Sequence, residues 1–358
     1  MRNFLKDKKR IVIKIGSQLL EKNNDIDKDF IENLAKQIKD LKKEDKDIIL
    51  VSSGAVLAGI KKLNLKKRPS TITEKQAISA VGQAYLIQLY DKIFSKYNLT
   101  IAQILLTTEG LKERKRYNYA RNTINKLLEL NVIPIINEND TVAIEEIVFG
   151  DNDFLAAHVS ILANAELLII LSTAGGVYTS DPSFENATLL KEIKDIEEAL
   201  NFAKASKSKY GTGGMRSKLE ASEIAVSHGI PVVIAPKKEN IILDIINGKD
   251  IGTLIYPKDK KYKGKKSWLA LLSEPKGKLI IDEGAEKALL NGKSLLPAGI
   301  KYVEGYFSKK NVVAIANLEG KIIGKGIINY SSNELQKILN KKEKKEAIHR
   351  DNLVIFED

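Results

Sequence analysis

The sequence predicts an α/β domain built on a mainly parallel sheet, followed by a small β-barrel-like module. Three observations carry that expectation. Short β-branched runs alternate with longer amphipathic segments through about residue 257. The runs are nearly continuous in apolar character, as in strands covered on both faces. Beyond Lys276 the alternation stops and short β-like pieces punctuated by glycine take over. With 358 residues, 43% of them hydrophobic, the chain has the length of two domains and the apolar content of a proper core.

The strand candidates are "RIVIKI" (10–15), "DIILVS" (47–52), "TIAQILL" (100–106), "VIPIIN" (132–137), "LLIILS" (167–172) and "PVVIA" (231–235). Helix-like stretches separate them: 27–44, 72–97, 117–130, 152–165 and 216–229, the last closed by Gly229 as helices often are. "YPKDKKYKGKK" (256–266) reads as a charged, helix-poor connector. The module after it comprises "GKLIID", "GIKYVEGYF" and "NVVAIANLEGKIIGKGII", and the tail "NKKEKKEAIHRDN" (340–352) is expected to be mobile or loosely docked.

Composition narrows the function classes. Without cysteine, disulfides, thiolate chemistry and cysteine-ligated metals are excluded. No run of about 18 apolar residues occurs, so no membrane span is expected. The opening "MRNFLKDKKRIVIKIG" lacks the apolar stretch and cleavage site of a secretory signal, and the simplest placement is cytoplasmic. The formal net charge is +12, and residues 257–340 hold 16 lysines against 8 acids. Such a patch can attract phosphate backbones, but a solvated lysine-rich surface is the simpler reading.

In open parallel sheets, ligands bind outside the carboxyl ends of the strands. The first strand ends in "KIGSQ", where Lys14 is followed by a turn at Gly16 and Ser17. The second ends in "SSGAV", with Gly54 opening a helix. Small residues there let backbone N–H groups approach an anion at the positive end of the helix dipole. "YGTGGMRSKLEAS" (210–222) is the stronger signal. Three glycines and a threonine precede a helix whose first turn carries Arg216, Ser217 and Lys218. Cations at that position oppose the helix dipole, and a bound polyphosphate reverses the sign. The spacing is not that of a P-loop.

The fourth strand runs into acid. Six acids lie between Glu138 and Asp153 in "VIPIINENDTVAIEEIVFGDND", in a chain that is otherwise basic. An α-ammonium needs carboxylates and amide oxygens around it, and so does a divalent cation carried by phosphates. Asn137, Asp140, Asp151, Asn152 and Asp153 fit either ligand. Turn and helix capping is the alternative, and Asn152 stands where an N-cap belongs.

In their order, Lys14 in "IKIGS", "VSSGAV", "AVGQ", "INENDTVA", "GDNDFLAA", "GVYTSDP" and "GTGGMRSKL" make the sequence resemble the glutamate 5-kinases of the amino-acid kinase superfamily, from about residue 9 to 257. "DEGAEKALLNGKSLLPAGI", "NLEGKIIGKGI" and "IHRDNLV" resemble the PUA domain that many of these enzymes carry. The resemblance implies a three-layer αβα amino-acid kinase fold over 1–257, a basic connector at 258–275, a PUA domain at 276–352 and a tail at 353–358. It implies ATP-dependent phosphorylation of the γ-carboxylate of L-glutamate, the opening step of proline biosynthesis. Carried over residue by residue, Ser53, Asp140 and Asn152 would bind glutamate, with Asn137, Asp151 and Asp153 supporting that pocket. Lys14 and Lys218 would hold the transferring phosphoryl group, and Asp153 joins them as the third catalytic residue. Gly16, Ser172, Thr173, Thr212, Gly213, Gly214, Met215, Arg216, Ser217 and the two lysines would contact ATP. Mg²⁺ would be held mainly by the ATP phosphates, with no protein ligand assigned.

The resemblance also implies a homo-oligomer, feedback inhibition by proline, and a glutamyl phosphate reductase as functional partner. One departure stands out: relatives typically read Thr-Asp where this chain has Ser172-Thr173, so a carboxylate is missing beside the nucleotide. Two rival readings follow from the same residues. One is another kinase of the superfamily, acting on acetylglutamate, aspartate or a nucleoside monophosphate; an acetylated acceptor has no ammonium for the acid-rich mouth to hold. The other is RNA binding by the C-terminal module, with Tyr302, Tyr306, Phe307 and Tyr330 as candidate stacking residues.

Overall fold

The computed structural model describes residues 2–23, 25–143, 152–180, 184, 186–205, 214–258, 265–339 and 345–356. The chain divides into two compact units. One comprises Met1–Gly110 with Asn118–Lys261, the other Leu111–Tyr117 with Tyr262–Asp358.

The first unit is built on β1 (Arg10–Ile15), β4 (Asp47–Ser52), β5 (Ile101–Leu106), β6 (Ile133–Glu138), β7 (Leu167–Leu171) and β11 (Val232–Ala235). All six run parallel, at the positions the apolar runs predict. Two short strands the sequence did not announce, β10 (Glu192–Ile193) and β12 (Thr253–Ile255), extend one edge, β12 antiparallel to β11. The order across the sheet is β10-β12-β11-β7-β1-β4-β6-β5. Two hairpin pairs lie outside it: β2 (Glu21–Lys22) with β3 (Asp25–Ile26), and β8 (Val177–Tyr178) with β9 (Leu189–Leu190).

Side chains alternate across β1, and that alternation places the chemistry. Ile11, Ile13 and Ile15 enter a core with Leu34 and Ile38 of α1 (Lys28–Lys43) and with Leu86, Tyr90 and Phe94 of α3 (Ile72–Ser95). Lys14, between Ile13 and Ile15, therefore emerges on the other face. Asp27 caps α1 by accepting from Phe30 N at 3.0 Å, and a capping box of Thr71 and Glu74 opens α3. Gly54, at φ +106°, turns β4 into α2 (Ala55–Lys62), a conformation costly for any residue with a Cβ. The helices α4 (Thr108–Lys112), α5 (Arg114–Glu129), α6 (Asn152–Leu162), α7 (Ile196–Ala205), α8 (Met215–Val226) and α9 (Ile241–Ile246) complete the alternation.

The second unit contains helix α10 (Lys265–Leu271) and the strands β13 (Lys278–Ile281), β14 (Ile300–Glu304), β15 (Val312–Ala316), β16 (Ile322–Ile327) and β17 (Leu353–Ile355). The sheet order is β14-β13-β15-β16-β17; β13 and β15 are parallel and the other neighbours antiparallel. Helices α11 (Glu283–Leu290) and α12 (Ser332–Ile338) flank it, each opened by a capping side chain, Asp282 and Ser331. Its core gathers Leu279, Ile281, Ile300, Val313, Ile315 and Leu335.

Two local expectations change here. The end of the stretch read as connector is helical: in α10, Trp268 and Leu269 are buried, and the Trp268 indole N–H donates to Leu111 O at 3.3 Å. The tail is docked where it is described. Ala347 and Ile348 are fully buried, Ile348 bridges to Leu295, and β17 pairs with β16. Both side chains belong to the apolar core of this unit, which is enough to hold the segment among its charged neighbours. Among the described residues no helix is long and apolar enough to cross a membrane.

Candidate active site

Three elements of the first unit converge on one buried carboxylate. Lys14 comes from the carboxyl end of β1, Asp153 from the first turn of α6, and Lys218 from the first turns of α8. Lys14 Nζ pairs with Asp153 Oδ1, and Lys218 Nζ donates to Asp153 Oδ2 at 2.9 Å. Asp153 is fully buried and both lysines nearly so. Three charges in low dielectric are tolerable only when paired, and here two positive groups share one negative one. Together the three side chains carry an excess positive charge, which suits an anion. A position for Asp153 near the start of α6 is favourable in itself, since a carboxylate suits the positive end of the helix dipole.

Glycine turns frame the cluster. A Cβ added at Gly16 would lie 3.6 Å from Lys14 Nζ, so the backbone runs close beside that ammonium. On the neighbouring strand the corresponding turn holds Ser53, which follows β4 and donates its N–H to Ile15 O at 3.0 Å. Gly214 caps α8, and Ser217 Oγ donates back to Gly214 O at 2.9 Å. Met215 and Arg216 follow; Arg216 donates to Glu220 at 2.7 Å along the exposed side of the helix. Asp151, Thr212 and Gly213 lie outside the described residues.

Asn152, next to Asp153, bonds to a different set of side chains. Its Nδ2 donates to Asn137 Oδ1 at 2.7 Å, and Asn137 Nδ2 donates to Gln83 Oε1 at 2.7 Å. Three residues beyond Asn137, Asp140 accepts a short hydrogen bond from Ser79 Oγ. An amide and carboxylate surface thus adjoins the lysine cluster, linked to it through neighbouring residues of α6. Ser79 and Gln83 of α3, together with Glu138, which accepts from Thr108 N at 3.2 Å, were not among the residues singled out from sequence. The signal for Gln83 was present in "AVGQ".

Ser172 and Thr173 follow β7. Ser172 N donates to Ala235 O at 2.9 Å, and Thr173 Oγ1 donates to Gln18 Oε1 at 3.3 Å. The Thr173 hydroxyl thus ties the turn after β7 to the turn after β1. Among the described residues no group of three or more acids and histidines could hold a metal ion. The ammonium groups beside Asp153 suit an anion.

A parallel sheet thus presents lysines and glycine turns at its carboxyl edge, beside a group of amide and carboxylate side chains, the arrangement of an α/β enzyme. Residues 9–236 match the Amino acid kinase family, and residues 277–350 match the PUA domain. The chain belongs to the amino acid kinase family. A "Glutamate 5-kinase" of Aquifex aeolicus is 49% identical over 97% of this chain and 99% of that protein. Its namesake from Carboxydothermus hydrogenoformans is 44% identical over 100% of both. That of Thermus thermophilus is 40% identical over 98% of both. Among solved structures, carbamate kinase from Giardia lamblia bound to AMP-PNP superposes with a TM-score of 0.52 at 17% identity, covering 71% of this chain and 100% of that one. UMP kinase from Ureaplasma parvum gives 0.50 at 21%, covering 70% and 99%. At these identities the two structures speak to the fold alone.

Proposed function

We propose that the protein uses ATP to phosphorylate the γ-carboxylate of L-glutamate, giving L-glutamyl 5-phosphate and ADP, the first step of proline biosynthesis. The observation that carries this reading is the Lys14–Asp153–Lys218 cluster set beside Asn152, Asn137 and Asp140, in a chain aligned end to end with relatives named Glutamate 5-kinase.

The chemistry asks little of a base. The acceptor carboxylate has an ordinary pKa of about 4.3 and is ionised at neutral pH. One of its oxygens attacks the γ-phosphorus of ATP, the new O–P bond forms, and the bond to the β-phosphate oxygen breaks with its electrons leaving on ADP. Such transfers depend on positioning and on neutralising charge. In this reading Lys14 and Lys218 stabilise the transferring phosphoryl group, and Asp153 holds both ammonium groups in register. Ser53, Asp140, Asn152 and Asn137 hold glutamate. Gly16, Ser172, Thr173 and the segment from Gly214 to Lys218 meet the nucleotide. Mg²⁺ bound to the ATP phosphates supplies further charge neutralisation.

The finer context belongs to the same proposal. Residues 1–257 carry catalysis and 276–352 form the PUA appendage. The enzyme works in the cytoplasm as a homo-oligomer under inhibition by proline. Because an acyl phosphate is labile, a glutamyl phosphate reductase takes the product directly. An ADP-release assay offering glutamate, N-acetylglutamate, aspartate, carbamate and UMP tests the assignment: turnover with glutamate alone is expected, and turnover with another acceptor in its place overturns it.

A second reading concerns the second unit. Tyr302 and Tyr306 are 64% and 90% exposed, beside the exposed Lys301. That exposure suits base stacking, whereas Phe307 is buried and serves the core. Salt-dependent RNA binding by the whole chain, lost in Tyr302→Ala/Tyr306→Ala, would support it.

A further inference from the structure

The turn after β1 is anchored by a lysine outside the catalytic cluster. Residues Ser17–Leu20 form a single 3₁₀ turn that opens at Gly16, with Leu19 N donating to Gly16 O at 3.1 Å. Lys237, two residues beyond β11, reaches this turn from across the sheet. Its Nζ donates to Leu19 O at 2.6 Å and to Asp27 Oδ2 at 2.7 Å. It also lies 4.6 Å from the centroid of the Phe30 ring. Asp27 is itself fixed as the N-cap of α1, and its N–H donates to Leu20 O at 2.8 Å.

Each contact narrows the possible role. Asp27 neutralises the Lys237 ammonium, so the pair presents a dipole rather than a free cation and is poorly suited to attract a phosphate directly. A charge-assisted bond to a backbone carbonyl is, in contrast, a strong geometric constraint. The turn it constrains matters on both sides. Gln18 is held by Thr173 from the loop after β7, and Leu20 is fully buried against Gly54, where an added Cβ would come 2.9 Å from Leu20 Cδ1.

We propose that Lys237 is a positioning residue for the nucleotide: through Leu19 O, with Asp27 as its counter-ion, it fixes the Gly16–Ser17 turn against which the ATP phosphates are held. The proposal rests on the reading of that turn as part of the nucleotide site. It assigns the lysine no contact with substrate.

The test is calorimetric titration of Mg·ATP into the full chain, with KM measured separately for ATP and glutamate, for the parent, Lys237→Met, Lys237→Arg and Asp27→Asn. Lys237→Met is expected to weaken ATP binding by about tenfold, the worth of one charge-assisted hydrogen bond, and to leave the glutamate KM within about twofold; a general loss of folding would move both. Lys237→Arg should recover part of the affinity. Asp27→Asn keeps a capping side chain but frees the ammonium, and it too is expected to weaken ATP. It carries the test if Lys237→Met does not fold. Tighter ATP binding in Asp27→Asn would make Lys237 a phosphate ligand and overturn the proposal, as would parental affinity in Lys237→Met. A parent that binds no ATP would instead bring down the nucleotide site itself.

Discussion

Lys218 Nζ donates to Asp153 Oδ2 at 2.9 Å, and the carboxylate that accepts it is fully buried. With Lys14 on the other oxygen, the three side chains form one electrostatic unit, and removing any member changes the task of the remaining two. Lys14→Ala and Lys218→Ala are each expected to lower kcat by about 100-fold or more, in line with the loss of one preorganised stabilising group. The glutamate KM should change far less. Asp153→Asn leaves two ammonium groups facing each other without their shared counter-charge, and should cost about 3 kcal/mol of stability as well as activity. Steady-state kinetics with urea unfolding of each variant checks both parts, and a parental kcat in either lysine variant would remove that residue from the reaction.

The opposite defect is expected at Asp140. Held by Ser79 on α3, it is read as a partner of the substrate ammonium. Asp140→Ala should raise the glutamate KM by about 100-fold, as the loss of a charged partner does, and leave the KM for ATP nearly unchanged. Ser79→Ala, which loosens the carboxylate without removing it, should raise the same constant by about tenfold at most. An unchanged glutamate KM in Asp140→Ala would place the ammonium elsewhere.

Much of this arrangement is legible in the sequence, for identifiable reasons. The six parallel strands announce themselves because burial on both faces forces long apolar runs. Lys14 is visible as the one charge in such a run before a glycine, and Asn152 and Asp153 as polar residues opening an apolar helix. Strands β10 and β12, of two and three residues, carry too little pattern to be read. Ser79 escapes because α3 is apolar on several sides, so its sequence does not say which polar residue faces β6. Lys237, in "APKKEN", reads as one of two solvated loop lysines. Only the long-range partners Leu19 and Asp27, distant in the chain, distinguish it from Lys238.

Gly82, in the "AVGQ" stretch, is expected to tolerate no side chain. A Cβ there would sit 1.8 Å from Ala55 O and 2.3 Å from Gly59 N, since α2 and α3 meet backbone to backbone. Alanine ordinarily stabilises a helix by up to about 1 kcal/mol relative to glycine, but the overlap dominates here. Gly82→Ala should destabilise the protein by at least about 2 kcal/mol. It should also raise the glutamate KM, because the displaced Ala55 carbonyl follows directly on Ser53 and Gly54. Urea midpoints and glutamate kinetics would test this; an unaltered midpoint would mean that the two helices can separate at little cost.

The alkaline limit of stability should report on Tyr90. Its phenol lies fully buried beneath the end of β4, with its oxygen 2.9 Å from Ser52 Oγ. Either hydroxyl of the pair can donate, and Ser52 Oγ also lies 3.0 Å from Ser53 O. Burial pushes the Tyr90 pKa up to about 12, and the Ser52 contact only partly offsets that. The folded protein thus keeps a proton that the unfolded chain releases near pH 10. The stabilisation from this group is complete below pH 10 and is lost as pH rises from about 10 through about 12, because the folded state binds the extra proton over that interval. Two pH units correspond to about 2–3 kcal/mol. Tyr90→Phe lacks the titrating group, so its stability relative to the parent should rise by that amount across the interval. Urea midpoints of both proteins, compared at pH 8 and at half-unit steps above pH 9.5, would show the difference growing; parallel curves would mean that the phenol ionises in the folded state as readily as in the unfolded one.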